Sequence, residues 1–150
     1  MLAEKFKIIP TVYLILMKDN KILLSRRYNT GFHDGEYSFP AGHLTENETL
    51  IQAIIREAKE EIGIKVNPED LKLIHVIHRK KEKDREEDRI NFFFIAKKWA
   101  GAPKIMEPYK CDDLDWFPFN KLPKNIIPYI RQTIESFKNN VFYSEFGWKE

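Results

Sequence analysis

The stretch of sequence that decides the fold is GHLTENETLIQAIIREAKEEIGI, residues 42–64. Residues three and four apart on a helix are neighbours, so Glu60 and Glu61 each lie one turn from Glu57. Two unit charges ~4 Å apart repel by roughly 4 kcal/mol near a protein surface, and a divalent cation would relieve this repulsion. Because hard oxygen ligands favour Mg²⁺ or Mn²⁺, the cluster predicts a metal site. The alternative is a solvated acidic face.

The same stretch carries signals for both ends of that helix. Thr45 and Glu48 have capping-box spacing, which predicts a start near residue 46, and Gly63 is suited to end the helix. Before it, residues 39–42 (FPAG) predict a strand end and a turn where a backbone carbonyl could approach a metal. An apolar stripe at helical spacing predicts the face that joins the core, and it consists of Leu50, Ile51, Ile54, Ile55, Ala58 and Ile62.

Together these residues resemble the Nudix box. Gly42, five residues, Glu48, seven residues and then REAKEEIGI at 56–64 follow the motif, and only Ala58 is smaller than the aliphatic residue usual in the family. The resemblance implies an α/β fold, a Nudix-type α/β/α sandwich with a mixed β-sheet. It also implies a hydrolase that cleaves a pyrophosphate linkage in a nucleoside diphosphate joined to another group.

The resemblance further implies roles for the box residues. Glu57, Glu60 and Glu61 would be metal ligands, the Gly42 carbonyl a further ligand, and Arg56 the residue that orients a box carboxylate. A box glutamate would accept a proton from the attacking water, with Glu60 and Glu61 as the candidates. Mg²⁺ is the expected cofactor, with Mn²⁺ as a substitute.

Other acidic residues have roles that stay open. Glu48 would cap the helix or lie beside the metal. Many family members supply an extra acid from a loop before a late tryptophan, which here is residues 107–116, EPYKCDDLDW. Lys110 stands where that acid is expected. The remaining acids there that could reach the site are Glu107, Asp112 and Asp113.

Substrate contacts are expected from residues near the box. Residues 28–39 form a polar and aromatic loop whose Phe32 and Tyr37 would stack on a base or pack against the sheet. Arg26 and Arg27 end a nearby strand and would bind phosphates by paired hydrogen bonds, unless they are ordinary surface residues. A neighbouring pair of strands offers candidates for which a structural role is the alternative: His75, His78, Arg79, Arg89 and Phe92.

The rest of the chain predicts strands at both sides of the box and a second helix. A charged run at residues 80–88 would be a solvated loop or a flap over the substrate. An aromatic tail at residues 141–148 would dock on the domain or be buried in a homodimer. Hydrophobic patterns predict strands at 11–17, 21–26, 71–78 and 90–97, a turn at 120–123 and a helix at 125–139.

Composition predicts a small single-domain protein. A chain of 150 residues, 43% of them hydrophobic, suits one domain over residues 1–150 with a real core. The net charge of +2 gives no general case for a nucleic-acid partner, and the single Cys111 excludes an internal disulfide. A cytoplasmic location is expected, because no apolar run suits a membrane span or a signal peptide.

Three classes of function compete at this stage. The first is a Mg²⁺-dependent pyrophosphohydrolase, and the lack of recognised subfamily signatures favours a (deoxy)nucleoside triphosphate, cleaved to monophosphate and pyrophosphate. ADP-ribose or another nucleoside diphosphate derivative is the alternative substrate. The second class is a non-catalytic Nudix-fold module that binds nucleotides. The third is an interaction protein whose acidic helix is only a charged surface.

Overall fold

Two β-sheets and two α-helices form the fold in the computed structural model, which describes residues 3–83, 85 and 87–149. The first sheet is mixed, with β1 parallel to β7, β6 parallel to β9, and its other pairs antiparallel. Its strands in spatial order are β5 (Ala41–His43), β1 (Ile9–Ile15), β7 (Arg89–Ala96), β6 (Leu71–Arg79) and β9 (Tyr143–Phe146).

The second sheet is antiparallel and is built around its longest pair of strands. Strand β3 (Lys21–Arg27) pairs along its length with β8 (Cys111–Pro118). On its other edge β3 pairs with two short strands, β2 (Met17–Lys18) near its start and β4 (Tyr37–Ser38) near its end. Residues Pro68–Asp70 form a short 3₁₀ helix before β6.

The two helices cover different sides of strand β1. Val12 and Leu14 join a core cluster with helix α1 (Leu50–Ile62), whereas Tyr13 and Ile15 join a second cluster with helix α2 (Pro128–Lys138). Successive side chains of a strand point to opposite faces, so one buried strand serves both layers. The predicted α/β class with a mixed sheet is confirmed.

The predicted start of α1 near residue 46 is wrong. Asn47 has a left-handed backbone, with φ of 66°, and interrupts a right-handed helix at that point. The capping box lies four residues later in the chain, where Thr49 Oγ1 accepts from Gln52 N at 3.1 Å and Gln52 Oε1 accepts from Thr49 N at 2.9 Å. The end at Gly63 is confirmed, since Gly63 caps the helix with φ of 70°.

Replacing the cap residue tests this helix start. Thr49→Ala is expected to lower the free energy of unfolding by about 1 kcal/mol, because the amide of Gln52 loses its side-chain acceptor. Thr45→Ala is the matched control and should cost less, since exposed Thr45 donates only to Glu48. Urea unfolding of both variants measures the difference, and a larger loss for Thr45→Ala would contradict the assignment.

The second helix begins at Pro128 rather than at residue 125. The residue before a proline is biased away from helical backbone, and Ile127 is extended with ψ of 133°. Ile126 instead forms a bridge to Tyr37. Within the described part of the chain, neither helix is long and apolar enough to cross a lipid bilayer.

The aromatic tail docks on the first sheet. Strand β9 pairs in parallel with β6, with Val76 opposite Tyr143. The ring of His75 contacts the tail with both nitrogens, each at 2.8 Å, from the carbonyl of Val141 and the hydroxyl of Ser144. His75, one of the substrate-contact candidates, is therefore a buried residue that holds the tail in place.

Candidate active site

A cavity of about 660 Å³ lies where α1, the ends of β3 and β5, and the facing ends of β6 and β7 meet. Helix α1 contributes Glu57 and Glu61 to its wall, and β5 contributes Gly42. These residues belong to the stretch that predicted a metal site. The cavity therefore brings the middle of the Nudix-like motif to one surface.

Glu57 lies directly against the backbone of β5. Its side chain is buried, with 9% of the residue exposed, and a Cβ atom placed on Gly42 would overlap its carboxylate. Only glycine leaves room for this approach. The close packing puts a carboxylate and the peptide backbone of residue 42 together at the cavity wall.

Glu61 lies on the same wall, one helical turn further along. Its Oε2 accepts a hydrogen bond from the Ala41 amide at 2.8 Å. Burial, reinforced by the nearby charge of Glu57, raises the pKa of Glu61 to about 8. Burial also raises the pKa of Glu57, against the opposing effect of Arg56. The two carboxylates thus repel each other at a place where water screens them poorly.

Arg56 holds the carboxylates around it in a network. Its guanidinium makes two hydrogen bonds to Glu48, at 2.7 and 3.0 Å, one to Glu57 Oε1 at 2.7 Å and one to Glu60 Oε2 at 3.2 Å. The bond from Arg56 lowers the pKa of Glu48 to about 2. Glu48 is therefore the partner of Arg56 and does not cap α1, a role that Thr49 fills.

Glu60 does not reach the cavity wall. Its side chain is 52% exposed and contacts Arg56, so the three box glutamates do not converge. In the described residues there is accordingly no group of three or more His, Cys, Asp or Glu side chains positioned to hold a metal ion. The cavity lining does present Glu57, Glu61 and the backbone of Gly42, and it also includes Glu107. These are hard oxygen donors, and such a set fits Mg²⁺.

The acids of the loop before Trp116 divide between two tasks. Glu107 lines the cavity, and its charge adds to the rise in the pKa of Glu61. Asp112 pairs with Arg26 at 2.7 Å, and Asp113 accepts the hydroxyl of Tyr37 at 2.5 Å. Neither aspartate lines the cavity. Among Glu107, Asp112 and Asp113, the three acids predicted as candidates, Glu107 is therefore the one that lines the cavity with Glu57 and Glu61.

Five of the predicted substrate contacts line the cavity, namely Arg26, Arg27, Phe32, Arg79 and Arg89. The first three are partly engaged by neighbours. Arg26 donates to Asp112, while Arg27 donates to the Phe32 carbonyl at 2.6 Å and to Thr30 at 3.0 Å. The guanidinium of Arg27 also lies over the Phe32 ring, 5.5 Å from its centroid. These contacts hold the loop after β3 beside the cavity. The remaining N–H groups of Arg26 and Arg27 are available to donate to a ligand.

Three other predicted contacts lie away from the cavity. The ring of Tyr37 packs in the core against Phe117, and burial raises the pKa of its hydroxyl to about 12. The rings of His78 and Trp148 are tilted with centroids 4.7 Å apart, and Phe92 packs with the α1 cluster. Side chains alternate along a strand, so His78 points to the opposite face from its neighbour Arg79, and Phe92 to the opposite face from Arg89, three residues earlier.

The charged run at residues 80–88 borders the cavity, although Asp84 and Glu86 lie outside the described residues. Lys81, Glu82, Arg85 and Glu87 line the wall. The run is therefore more than a solvated loop. Sequence reasoning missed Thr11 and Tyr129, which also line the cavity, because only strand register and helix packing bring them there.

Curated relatives have related enzymatic names. An ADP-ribose pyrophosphatase from Methanocaldococcus jannaschii is 33% identical over 110 residues, which are 73% of this chain and 62% of that protein. The chain thus spans less than two thirds of that relative. An 8-oxo-dGTP diphosphatase from Buchnera aphidicola is 27% identical, over 80% of this chain and 91% of that protein.

Solved structures share the fold. A crystal structure of the MutT NUDIX hydrolase from Burkholderia pseudomallei superposes with a TM-score of 0.78 at 24% identity and covers 86% of this chain and 97% of that one. A family model described as the NUDIX domain matches residues 7–137. The resemblance that residues 42–64 indicated is confirmed: the chain belongs to the NUDIX family.

Proposed function

We propose that the protein is a Mg²⁺-dependent pyrophosphohydrolase that hydrolyses a diphosphate linkage in a nucleotide derivative. The observation that carries this proposal is the pair of carboxylates on one cavity wall, the buried Glu57 and the partly buried Glu61, with the Gly42 backbone against Glu57. The family generally requires a divalent metal such as Mg²⁺, and its hydrolases act on pyrophosphate bonds of nucleotide derivatives.

The residues of the wall divide the work of the reaction. Glu57, Glu61 and the Gly42 carbonyl would hold Mg²⁺, which when bound neutralises phosphate oxygens and lowers the pKa of water. Arg56 donates to Glu57 and is itself held by two bonds to Glu48, so the Glu57 carboxylate is positioned before a substrate arrives. Glu61, with one oxygen on the Ala41 amide, is the better placed of the two predicted bases to take a proton from water.

Two substrate classes follow from the relatives. A (deoxy)nucleoside triphosphate, cleaved to monophosphate and pyrophosphate, agrees with the 8-oxo-dGTP diphosphatase of which this chain covers 91%. ADP-ribose agrees with the archaeal pyrophosphatase, at higher identity and lower coverage. We place the triphosphate first, because the cavity carries cationic side chains such as Arg27 and Arg79 that suit a longer phosphate chain.

A nucleotide panel tests the proposal. Wild-type protein with Mg²⁺ should release nucleoside monophosphate and pyrophosphate from nucleoside triphosphates, or two monophosphates from ADP-ribose. Chelation with EDTA should abolish turnover, because no divalent cation would then neutralise the diphosphate oxygens and lower the pKa of the attacking water. Ion-exchange chromatography identifies the products. Absence of turnover across the panel with both Mg²⁺ and Mn²⁺ would overturn the proposal and favour a binding module.

A further inference from the structure

Besides the glutamates, the cavity is lined by two arginines that face each other. Arg79 on β6 and Arg89 on β7 are direct partners in the antiparallel ladder, and both line the cavity. Like charges directly opposite each other on a sheet destabilise it. This pair is therefore an unfavourable arrangement for the fold alone.

The donors of this pair lack partners among the described residues. Arg79 is 4% exposed, and its Nε makes no hydrogen bond there, nor does Nη1 of Arg89. Thr11 also lines the cavity at 5% exposure, and its hydroxyl is likewise unpaired within the described chain. Buried polar atoms almost always have partners, and one left without a partner destabilises the fold.

The guanidinium of Arg79 is held in place by its surroundings. Its Cζ lies over the Tyr129 ring, 4.2 Å from the ring centroid, and its Nη1 lies 3.6 Å from Glu82 Oε1. That distance is too long for a hydrogen bond. Arg79 is thus a pre-positioned cation whose Nε still needs an acceptor.

The arginine pair has a different electrostatic environment from that of Glu61. Burial and the charge of Arg79 lower the pKa of Arg89, whereas burial, Glu57 and Glu107 raise the pKa of Glu61. The charged neighbour with the largest effect has the group's own sign in both cases, against the opposing effects of Glu87 on Arg89 and of Lys110 on Glu61. The cavity lining therefore holds carboxylates that suit a cation and guanidinium groups that suit an anion.

We propose that Arg79, Arg89 and Thr11 bind a phosphate group of the substrate additional to the diphosphate linkage that is cleaved. This inference rests on the proposed function and narrows its substrate class. Guanidinium groups present planar pairs of N–H donors that match phosphate oxygens, and a threonine hydroxyl supplies a further donor. A single phosphate would accept hydrogen bonds from the unsatisfied donors, and its negative charge would offset the repulsion between the two guanidinium groups.

The proposal predicts tighter binding of the phosphate-richer member in matched pairs of ligands. The first pair is dGTP and dGDP, which differ by the terminal phosphate of the chain. The second is NADP⁺ and NAD⁺, which differ by a phosphate on a ribose. Bonds from a charged donor to a phosphate suggest a preference of about tenfold or more. The pair that shows the preference identifies the source of the bound phosphate.

Calorimetric titration in EDTA measures the four dissociation constants without turnover or a metal contribution. Wild-type protein should favour the phosphate-richer member of at least one pair. Arg79→Gln should reduce that ratio to near one, and Arg89→Gln serves as a second variant if Arg79→Gln does not fold. Lys72→Gln is the matched control, since Lys72 is an exposed cation on the same strand and outside the cavity.

The outcomes separate this inference from the proposed function. A wild-type ratio near one in both pairs, or no detectable binding, would overturn the inference, as would a ratio unchanged in both folded arginine variants. Hydrolysis is scored separately with Mg²⁺. Turnover without a phosphate preference would support the pyrophosphohydrolase and overturn the phosphate site at Arg79, Arg89 and Thr11. A phosphate preference without turnover would support that site and overturn the pyrophosphohydrolase.

Discussion

Glu61→Gln is expected to lower kcat for nucleotide hydrolysis by a factor of about 10²–10⁴, the usual contribution of a general base. Glutamine has nearly the same shape and can still accept the Ala41 amide, so the fold should persist. The side chain loses its capacity to take a proton and to bind Mg²⁺ as an anion. Steady-state kinetics with saturating Mg²⁺ measures the loss, and circular dichroism checks the fold.

Two further glutamates serve as comparisons for that variant. Glu46→Gln removes an exposed carboxylate from the loop before α1 and should leave kcat close to wild type. Glu60→Gln should cost less than Glu61→Gln, because Glu60 faces solvent and Arg56 rather than the cavity. Equal losses at the two positions would mean that Glu60 leaves Arg56 and enters the site. A Glu61→Gln enzyme with more than a tenth of the wild-type rate would contradict the assigned role.

The spacing within the motif brings Glu57 and Glu61 to one cavity wall, because this information is local. The spacing of Glu57 and Glu61 puts both on one side of a helix whatever the rest of the chain does. Gly42 was expected to permit a close approach, and the approach is made by the Glu57 side chain. The predicted start of α1 was wrong because two consecutive capping-box patterns, at 45–48 and 49–52, fit the sequence, and the left-handed Asn47 leaves the later one to start the helix.

Substrate contacts were harder to predict because they depend on strand register. Arg79 lines the cavity and its neighbour His78 does not, and a shift of one residue would exchange them. Thr11 carries no local signal at all. It reaches the wall because β1 pairs with β7 in a register that puts it opposite Asn91.

Strands β8 and β9 were not predicted from the sequence, because they too depend on pairing with distant parts of the chain. The sequence of β8, CDDLDWFP, has three aspartates and reads as a loop, yet it pairs along nearly all of β3. The long-range partner outweighs a weak intrinsic preference, as is usual for strands. Strand β9 likewise depends on β6, more than sixty residues earlier, with Val76 paired to Tyr143.

Gly42→Ala is expected to lower the free energy of unfolding by about 1–3 kcal/mol, as overpacking usually does, and to remove most hydrolytic activity. The added Cβ would occupy the space of the Glu57 carboxylate and of its Cγ. Either Glu57 turns away or β5 shifts, and both movements separate the two groups proposed to bind Mg²⁺. Chemical denaturation and a single-substrate assay measure the two effects.

A double-mutant cycle with Glu57→Ala identifies the cause of that loss. Glu57→Ala removes the overlapping atoms, so Gly42→Ala should cost far less stability in the Glu57→Ala background than in wild type. Gly31→Ala is the control, because Gly31 has φ of 83° and open space around it, so its cost comes from the backbone and should not depend on Glu57. Activity should not return in the double variant, since the carboxylate is gone. Additive costs for Gly42→Ala and Glu57→Ala would mean that Glu57 does not lie against residue 42, and the proposed metal site would lose its geometric basis.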